Sequence, residues 1–266
     1  MTISPHSPEW YDRLATIQDG YFYPWQSQLA PHNGETAYLE LLHQYLRSEM
    51  DVLDVGCGHG EVAFKIAPLC RQILAYDRVE SYIRIAREMA EQHGIRNITF
   101  ECFDSSPAAN HGIARIPADD ESFDLLISRR GPLHWLEDAR RVARPGALII
   151  QLNPLETPIP AWAEQLPEPL HSASGIEYQH GILNSVAHRL RLGNLKLHSA
   201  WTYDVPEFFN KPEELYKRLT WGYIPGEVPE WSDVREILEQ IFSDFAWPQG
   251  LVMRHTRLLW MAVVEK

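Results

Sequence analysis

The stretch Asp51-Val52-Leu53-Asp54-Val55-Gly56-Cys57-Gly58-His59-Gly60-Glu61 decides the fold, because a short β-branched run leads directly into glycines at alternate positions. The run predicts a buried strand, and the glycines predict a tight turn. Because glycine has no Cβ atom, Gly56, Gly58 and Gly60 permit positive φ angles and a close approach of a ligand to the backbone. Residues 61–67 continue at helical spacing. A strand, a glycine turn and a helix N-terminus together predict a nucleotide-type binding crevice.

The glycine spacing distinguishes two kinds of nucleotide site. A dinucleotide fingerprint of the form G-x-G-x-x-G needs glycine where the chain has Glu61. The pattern Asp54-x-Gly56-x-Gly58-x-Gly60 instead resembles the first motif of the class I S-adenosylmethionine (SAM)-dependent methyltransferases. The resemblance implies that the turn leaves room for the cationic methionine part of SAM, where a nearby acid is electrostatically favourable. The alternative is a glycine turn that holds no ligand.

Acids also end the next two predicted strands. Residues 72–77 end in Asp77, at the spacing where an acid binds ribose hydroxyls in nucleotide-binding sheets, although a helix cap is a compatible alternative. By resemblance, Asp104 at the end of the third strand faces the adenine amino group, and the alternative is a turn-initiating aspartate. The predicted cofactor-binding residues are therefore Asp54, Gly56, Cys57, Gly58, Gly60, Asp77, Arg78, Asp104, Ser105 and Ser128.

The resemblance covers residues 52–152 and includes Phe123-Asp124 before the fourth strand and Pro145-Gly146 before the fifth. It implies an α/β fold with a doubly wound, mostly parallel seven-stranded sheet. The last two predicted strands are separated by a helical insertion, where the family normally has a hairpin. The predicted units are an N-terminal lid at 1–50, a SAM-binding domain at 51–210 and 249–266, and the insertion at 211–248, a possible substrate cap.

Aromatic residues predict the position of the acceptor pocket. They crowd the N-terminal segment before the first strand, where they either form a lid over the crevice or cover the sheet edge. The insertion carries more of them, which either line a pocket or form plain core. The predicted pocket residues are Tyr21, Tyr23, Trp25, Arg130, Trp135, Trp221 and Tyr223.

Methyl transfer from a sulfonium depends mainly on positioning, and a general base is needed only when the acceptor has to lose a proton. His134 follows the fourth strand and is the first candidate base, His180 is the second, and each has a structural role as its alternative. Arg129 and Arg130 are candidates for binding an acceptor carboxylate or phosphate, or for pairing with nearby acids. We therefore name His134 and Arg129 as catalytic candidates.

Composition limits the function further. The chain has 266 residues, of which 45% are hydrophobic, so it can bury one substantial core. A formal net charge of −12 opposes binding to nucleic acid, and three scattered cysteines predict neither a disulfide framework nor a metal site. The N-terminus lacks a signal-peptide pattern, and no stretch has the roughly 18 apolar residues that a membrane span needs. We expect a cytoplasmic protein without a metal, as a monomer or homodimer.

These observations predict SAM-dependent methyl transfer to a small-molecule acceptor, with an oxygen, nitrogen or carbon nucleophile left open. One alternative is an RNA base methyltransferase, which would need a basic face or an RNA-binding module. Another is a noncatalytic SAM-binding protein.

Overall fold

A computed structural model describes residues 7–177 and 181–265 of the chain. Eight strands form a single sheet: β1 (Gln28–Leu29), β2 (Asp51–Val55), β3 (Gln72–Asp77), β4 (Ile98–Cys102), β5 (Phe123–Arg129), β6 (Ala143–Pro154), β7 (Lys196–Phe209) and β8 (Leu251–Val263). Their order is β1-β7-β8-β6-β5-β2-β3-β4. β2 to β6 pair in parallel, whereas β6 with β8, β8 with β7, and β7 with β1 pair antiparallel.

Helices cover both faces of the sheet. They are α1 (Pro8–Ile17), α2 (Gly34–Tyr45), α3 (Glu61–Ile66), α4 (Glu80–Gln92), α5 (Leu136–Val142), α6 (Leu170–Ala173), α7 (Ile182–Leu192), α8 (Pro212–Leu219) and α9 (Trp231–Phe245), with 3₁₀ turns at Ala67–Leu69 and Ala161–Gln165. One core layer joins α2, α3 and α4 to the sheet, and a second joins α5 and α7 to its other face. Successive residues of β2, such as Val52 and Leu53, point into opposite layers, as the two-residue period of a strand requires.

The predicted number of seven strands is wrong, because the described residues form eight strands, of which β2 to β6 pair in parallel and the others pair antiparallel. The additional strand, β1, has two residues and pairs with Glu207 and Phe208 at the edge of β7. The Ser27 hydroxyl donates to Glu207 Oε1 at 2.6 Å and fixes this pairing. Two residues are too few to produce an alternating pattern, so the sequence gives no signal for this strand.

The helical insertion forms a third core with other parts of the chain. α8 and α9 pack against the 3₁₀ turn at Ala161–Gln165, against α6 and against the adjoining ends of β7 and β8. Buried leucines such as Leu215 and Leu238 lie in this core together with Trp162 from the proline-rich loop. The loop therefore contributes to the packing under the insertion, in addition to connecting β6 to α7.

β2 lies between β3 and β5 in the sheet. The segment that follows β3 and the segment that follows β5 run over opposite faces of the sheet. In an open α/β sheet, ligands bind outside the carboxyl ends of the strands at this kind of switch point. The fold thus brings the glycine turn after β2, the end of β3 and the loop after β5 to one crevice.

Candidate active site

The glycine turn after β2 has the backbone that its sequence predicts. Gly56, Gly58 and Gly60 have φ angles of +67°, +55° and +88°, in the left-handed region that favours glycine. At Gly60 an added Cβ would also lie 2.8 Å from the Phe100 ring. The turn therefore depends on glycine for both its conformation and its packing.

The loops after β2 and β5 approach each other closely at the centre of the crevice. A Cβ on Gly131 would lie 2.4 Å from Ser128 Oγ and 2.8 Å from the Val55 carbonyl oxygen. The buried Ser128 hydroxyl donates to that carbonyl at 2.8 Å. Ser128 thus joins the two loops, and Gly131 is the residue that allows them to touch.

Asp77 connects the end of β3 to the glycine turn. Its Oδ2 accepts from the Gly58 backbone N–H at 2.9 Å, and its Oδ1 accepts from the Val79 N–H at 3.0 Å. Burial raises the pKa of Asp77, although these hydrogen bonds oppose the shift. A carboxylate oxygen has more than one acceptor position, so both oxygens retain capacity for hydroxyl donors. The helix cap is Val79 and has no side-chain cap hydrogen bond, so the Asp77 contact with Val79 orders the turn before α4 without capping the helix.

The end of β4 brings together three of the predicted residues. Asp104 Oδ1 accepts from the Ser106 N–H at 2.8 Å, which is the turn contact expected of such an aspartate. Burial raises the pKa of Asp104, but the hydrogen bonds from Ser106 outweigh this effect and the net shift is downward. The buried Ser105 hydroxyl lies 3.0 Å from His134 Nε2. Burial lowers the pKa of His134, so its ring is neutral at pH 7.

Arg129, at the end of β5, is held between two helix N-termini. It forms an ion pair with Glu61 of α3, and its Nη1 lies 3.7 Å from Glu35 Oε2 of α2. Burial opposes ionisation of Glu61, but Arg129 and Lys65 lower its pKa to about 2. The alternative reading of Arg129, pairing with nearby acids, describes these contacts.

An aromatic cluster from the N-terminal segment and the helical insertion lies beside Arg130. Tyr23 stacks on Trp25 with ring centroids 4.4 Å apart, and both rings contact Trp221 edge-on at 5.0 and 5.6 Å. Tyr21 lies 5.6 Å from Trp221. The Arg130 guanidinium lies 4.9 Å from the centroid of the Tyr23 ring and 5.4 Å from that of Tyr21. We call Tyr21, Tyr23, Trp25 and Trp221 the aromatic cap.

The aromatic cap is attached to the glycine turn. The Tyr21 backbone N–H donates to His59 Nδ1 at 3.0 Å, and an added Cβ on Gly58 would lie 3.6 Å from Tyr21 Cβ. Trp221 Nε1 donates to Gln18 Oε1 at 3.2 Å, which joins the insertion to the N-terminal segment. Arg78, predicted to contact the cofactor, pairs with Asp12 at 2.9 Å and donates to a backbone carbonyl of α1.

Two predicted pocket residues lie elsewhere, and one candidate base is outside the described residues. Trp135 is fully buried in the core beneath α5 and α7, because the segment after β5 turns inward at this position. Tyr223 is half-buried and makes no ring contact with the aromatic cap in the described part of the chain. The structure does not describe His180.

Comparison with known proteins identifies the family. A family model described as "Methyltransferase domain" matches residues 46–203, which is more than half of the chain. The chain belongs to this methyltransferase family. Its cofactor is SAM, and a geranyl diphosphate methyltransferase solved in complex with SAM has a similar fold (TM-score 0.50, 12% identity, 86% of this chain and 85% of that one).

Other similar proteins support the methyltransferase fold over different lengths. A structure of a functionally unknown protein from Deinococcus radiodurans aligns with a TM-score of 0.64 at 22% identity and covers 96% of this chain and 98% of that one. A ubiquinone biosynthesis O-methyltransferase from Roseobacter denitrificans is 29% identical over 107 residues, 36% of this chain. The match spans 38% of that relative's length, so it concerns only part of each protein.

The surroundings of Asp54 show whether the crevice of this methyltransferase fits SAM. The residue is 2% exposed, and its Oδ2 has no hydrogen-bond partner among the described residues. Burial raises its pKa to about 7, and Asp77 adds to the shift while Arg129 opposes it. A buried carboxylate without a donor is costly, and a cationic amino acid such as the methionine part of SAM would relieve that cost. The residues present therefore fit the cofactor.

Several ionisable residues near the aromatic cap were not predicted from the sequence. They are Glu35, Glu207, Arg218, His255 and Arg257. Glu35 Oε1 accepts from Arg257 Nε at 2.9 Å across 222 positions of the chain. Glu35 lies in the first turn of α2, and nothing in the local sequence indicates a partner on β8.

In the described residues, no helix is long and apolar enough to cross a membrane, and no group of His, Cys, Asp or Glu side chains could hold a metal ion.

Proposed function

We propose that this methyltransferase transfers the SAM methyl group to a small-molecule acceptor bound between the glycine turn and the aromatic cap. One observation carries the proposal: Tyr21, a member of the cap, is attached to the turn through His59 Nδ1 and covers Gly58. An acceptor held by the cap would therefore be adjacent to a cofactor held by the turn. Proximity of this kind supplies much of the acceleration in group transfer.

In this proposal the cofactor side consists of the glycine turn, Asp77 and the end of β4. Asp77 would bind the ribose hydroxyls, for which its oxygens retain acceptor positions. Asp104 and Ser105 would lie beside adenine, and His134 would support them through its contact with Ser105. Asp54 would face the ammonium group of the methionine part. Residues 7–50 and 211–248 would act together as the cover of the acceptor site.

SAM supplies an activated methyl group, so the chain has to bind, orient and exclude water. His134 stays a candidate base, and its Nε2 is within hydrogen-bond distance of Ser105 Oγ. Arg129 would act by orienting Glu35 and Glu61 at the crevice. The O-methyltransferase name of the curated relatives supports testing oxygen acceptors first, but their match is partial, so nitrogen and carbon acceptors stay in the panel.

Isothermal titration with SAM, followed by detection of S-adenosylhomocysteine against a metabolite panel, tests the proposal. We expect saturable SAM binding and product with at least one small molecule. Binding without product from any metabolite or RNA would favour a noncatalytic SAM-binding protein, and product only with RNA would favour an RNA methyltransferase. Absence of SAM binding would reject the assignment of the crevice.

The variant Trp221→Ala separates the two sides of the site. Removing a ring from the aromatic cap should lower turnover about tenfold or more through loss of acceptor contacts, while SAM affinity changes less than about threefold. The matched control is Trp247→Ala, because Trp247 is 64% exposed and outside the cap. Equal loss of SAM affinity and turnover in Trp221→Ala would contradict the separation.

A further inference from the structure

Three arginines converge beneath the aromatic cap from different parts of the chain. Arg130 follows β5, Arg218 is on α8 and Arg257 is on β8. The Arg130 and Arg257 side chains are 9% and 8% exposed, and burial lowers the pKa of Arg218. The Arg218 guanidinium lies 5.4 Å from the centroid of the Trp25 ring. Arg218 is half-buried. Guanidinium groups that are removed from water need counter-charges, so the partners of these three residues indicate which ligand could bind beside them.

Among the described residues, Arg257 donates a hydrogen bond to a carboxylate, whereas Arg130 and Arg218 do not. Arg257 Nε donates to Glu35 at 2.9 Å and its Nη1 donates to the Thr256 carbonyl at 2.9 Å. Arg130 donates to the Tyr23 hydroxyl, its Nε lies 3.8 Å from Glu35, and that buried Nε makes no hydrogen bond. Arg218 forms no hydrogen bond or ion pair with the residues that the structure describes.

Two more buried polar atoms near this position have no hydrogen-bond partner within the described residues. They are Glu35 Oε2 and Nδ1 of His255, a residue that is 8% exposed. Arg257, Glu35, Arg130 and Arg218 all lie close enough to His255 for their charges to act on its ring. Burial and the arginines lower the pKa of His255 to about 3, so its ring adds no charge. Unpartnered buried polar atoms in one place indicate a ligand site.

The charge balance favours a negative ligand. Four guanidinium groups face three carboxyl groups: Arg129, Arg130, Arg218 and Arg257 against Glu35, Glu61 and Glu207. The nearby Asp54 carboxyl has a pKa of about 7 and is only partly ionised at neutral pH. SAM carries a net positive charge, so its binding increases the excess. An anionic acceptor would neutralise this excess, whereas a cationic one would add to it.

The aromatic cap by itself could suggest a cage for a cationic acceptor, because such cages bind quaternary ammonium groups. However, its ring faces already contact cations of the chain. Arg130 lies over Tyr21 and Tyr23, and Arg218 lies over Trp25. A cationic ligand would have to displace both arginines from these ring faces while lying close to their positive charges.

We propose that the methyl acceptor is an aromatic acid whose carboxylate binds Arg130 and Arg218 and whose ring contacts the aromatic cap. This inference rests on the proposed function and names its substrate class. A carboxylate is a stronger acceptor of guanidinium hydrogen bonds than a phenol, so it would replace the Tyr23 hydroxyl on Arg130. The planar fork of each arginine suits a carboxylate, and stacked rings in the cap suit a planar acceptor.

Tryptophan fluorescence tests the proposal without turnover, because Trp25 and Trp221 belong to the cap. Protein saturated with S-adenosylhomocysteine is titrated with benzoates, hydroxybenzoates, cinnamates and indole carboxylates, and in parallel with their carboxamides and matched benzylamines. We expect at least one acid to bind about tenfold or more tightly than its carboxamide, since a charged hydrogen bond replaces a neutral one. Equal binding of acid and amide, tighter binding of the amine, or no saturation by any acid would overturn the proposal.

The variants Arg218→Gln and Arg218→Lys give a second test. We expect Arg218→Gln to weaken binding of the preferred acid about tenfold or more. Arg218→Lys should weaken binding less, because lysine keeps the charge but not the planar fork of arginine. The matched control is Arg235→Gln, because Arg235 is an exposed residue of α9 and should leave acid binding unchanged.

Titration with SAM accompanies each variant and separates the possible failures. SAM affinity in Arg218→Gln should stay within about threefold of the wild type, which also shows that the variant is folded. A large loss of SAM affinity would instead make Arg218 a cofactor contact and overturn the proposal. If the wild type binds SAM but no acid, the substrate class fails while the proposed function stands. If it does not bind SAM, the proposed function itself fails.

Discussion

The proposed cofactor side and the proposed acceptor side of the crevice are built from different kinds of contact. On the cofactor side, backbone groups dominate: Gly58 N–H donates to Asp77, and Ser128 donates to the Val55 carbonyl. On the acceptor side, side chains dominate, and the pair of Glu35 and Arg257 joins residues 222 positions apart. The first kind of contact fixes a chain path, whereas the second fixes a charge pattern.

This difference bears on how the two sides tolerate change. A backbone cradle admits few residue types, because an added Cβ meets atoms that cannot move cheaply. A side-chain cluster can be altered one residue at a time while the chain path stays the same. Substitutions on the acceptor side should therefore change stability or acceptor choice, and substitutions on the cofactor side should change SAM affinity.

Glu35→Gln should give the largest effect and would break the acceptor side. The variant removes the carboxylate that faces Arg129, Arg130 and Arg257, and it leaves their charges buried. We expect the free energy of unfolding to fall by about 3–5 kcal/mol, measured by urea denaturation. The control is Glu239→Gln, because Glu239 forms an exposed pair with Arg235 that should be worth less than about 1 kcal/mol. Equal losses in the two variants would contradict the assignment.

The same carboxylate predicts a pH dependence of stability. Burial opposes ionisation of Glu35, but Arg130, Arg257 and Arg129 lower its pKa from 4.5 to about 2 in the folded chain. Its contribution is therefore fully present above pH 4.5 and is lost as the pH falls toward 2, by about 3 kcal/mol in total. Urea denaturation at several pH values should show a smaller loss over this window in Glu35→Gln than in the wild type.

Asp77→Asn should have the next largest effect, on SAM binding. The amide has one acceptor oxygen, so it cannot serve the Gly58 and Val79 N–H groups and a ribose as the carboxylate can. We expect SAM affinity to fall about 100-fold by calorimetry. Asp204→Asn, on the exposed part of β7, is the control and should bind SAM as the wild type does. Unchanged affinity in Asp77→Asn would remove Asp77 from the cofactor site.

Gly131→Ala should sharpen the contrast at the centre of the crevice. The added Cβ would press on Ser128 Oγ and on the Val55 carbonyl, so the loops after β2 and β5 would separate. We expect a loss of about 1–3 kcal/mol in stability and a parallel loss of SAM affinity. In Gly112→Ala the Cβ meets nothing within 4 Å, so this control should lose stability through its positive φ alone and keep its SAM affinity.

Asp54 predicts the smallest effect, a pH dependence of SAM affinity. Burial raises its pKa to about 7, and a cationic ligand would favour its ionised form, so SAM binding should release a proton from it. We expect SAM affinity to rise about tenfold from pH 6 to pH 8 and then to level off. In Asp54→Asn this rise should disappear. A wild-type affinity that stays constant over this range would contradict the proposed contact.

The sequence by itself determined the cofactor side of the fold. The β-branched run, the alternate glycines and the acid at Asp77 are local signals, and each structural consequence involves residues close in the chain or at neighbouring strand ends. The helices of the insertion were predicted for the same reason, because their periodicity is local. Tyr21, Tyr23, Trp25 and Trp221 are four of the seven predicted pocket residues, and the structure brings these four together, whereas Trp135 and Tyr223 lie elsewhere.

The tertiary structure alone decided the eighth strand, the burial of Trp135 and the arginine cluster. β1 is too short to carry a pattern, and the inward turn of Trp135 depends on the helices that cover it. Glu35, Arg218 and Arg257 come from three distant elements, and their charges affect one another only after those elements have packed. Secondary structure follows from neighbours in the chain, whereas a buried charge pattern follows from neighbours in space, which a single sequence does not specify.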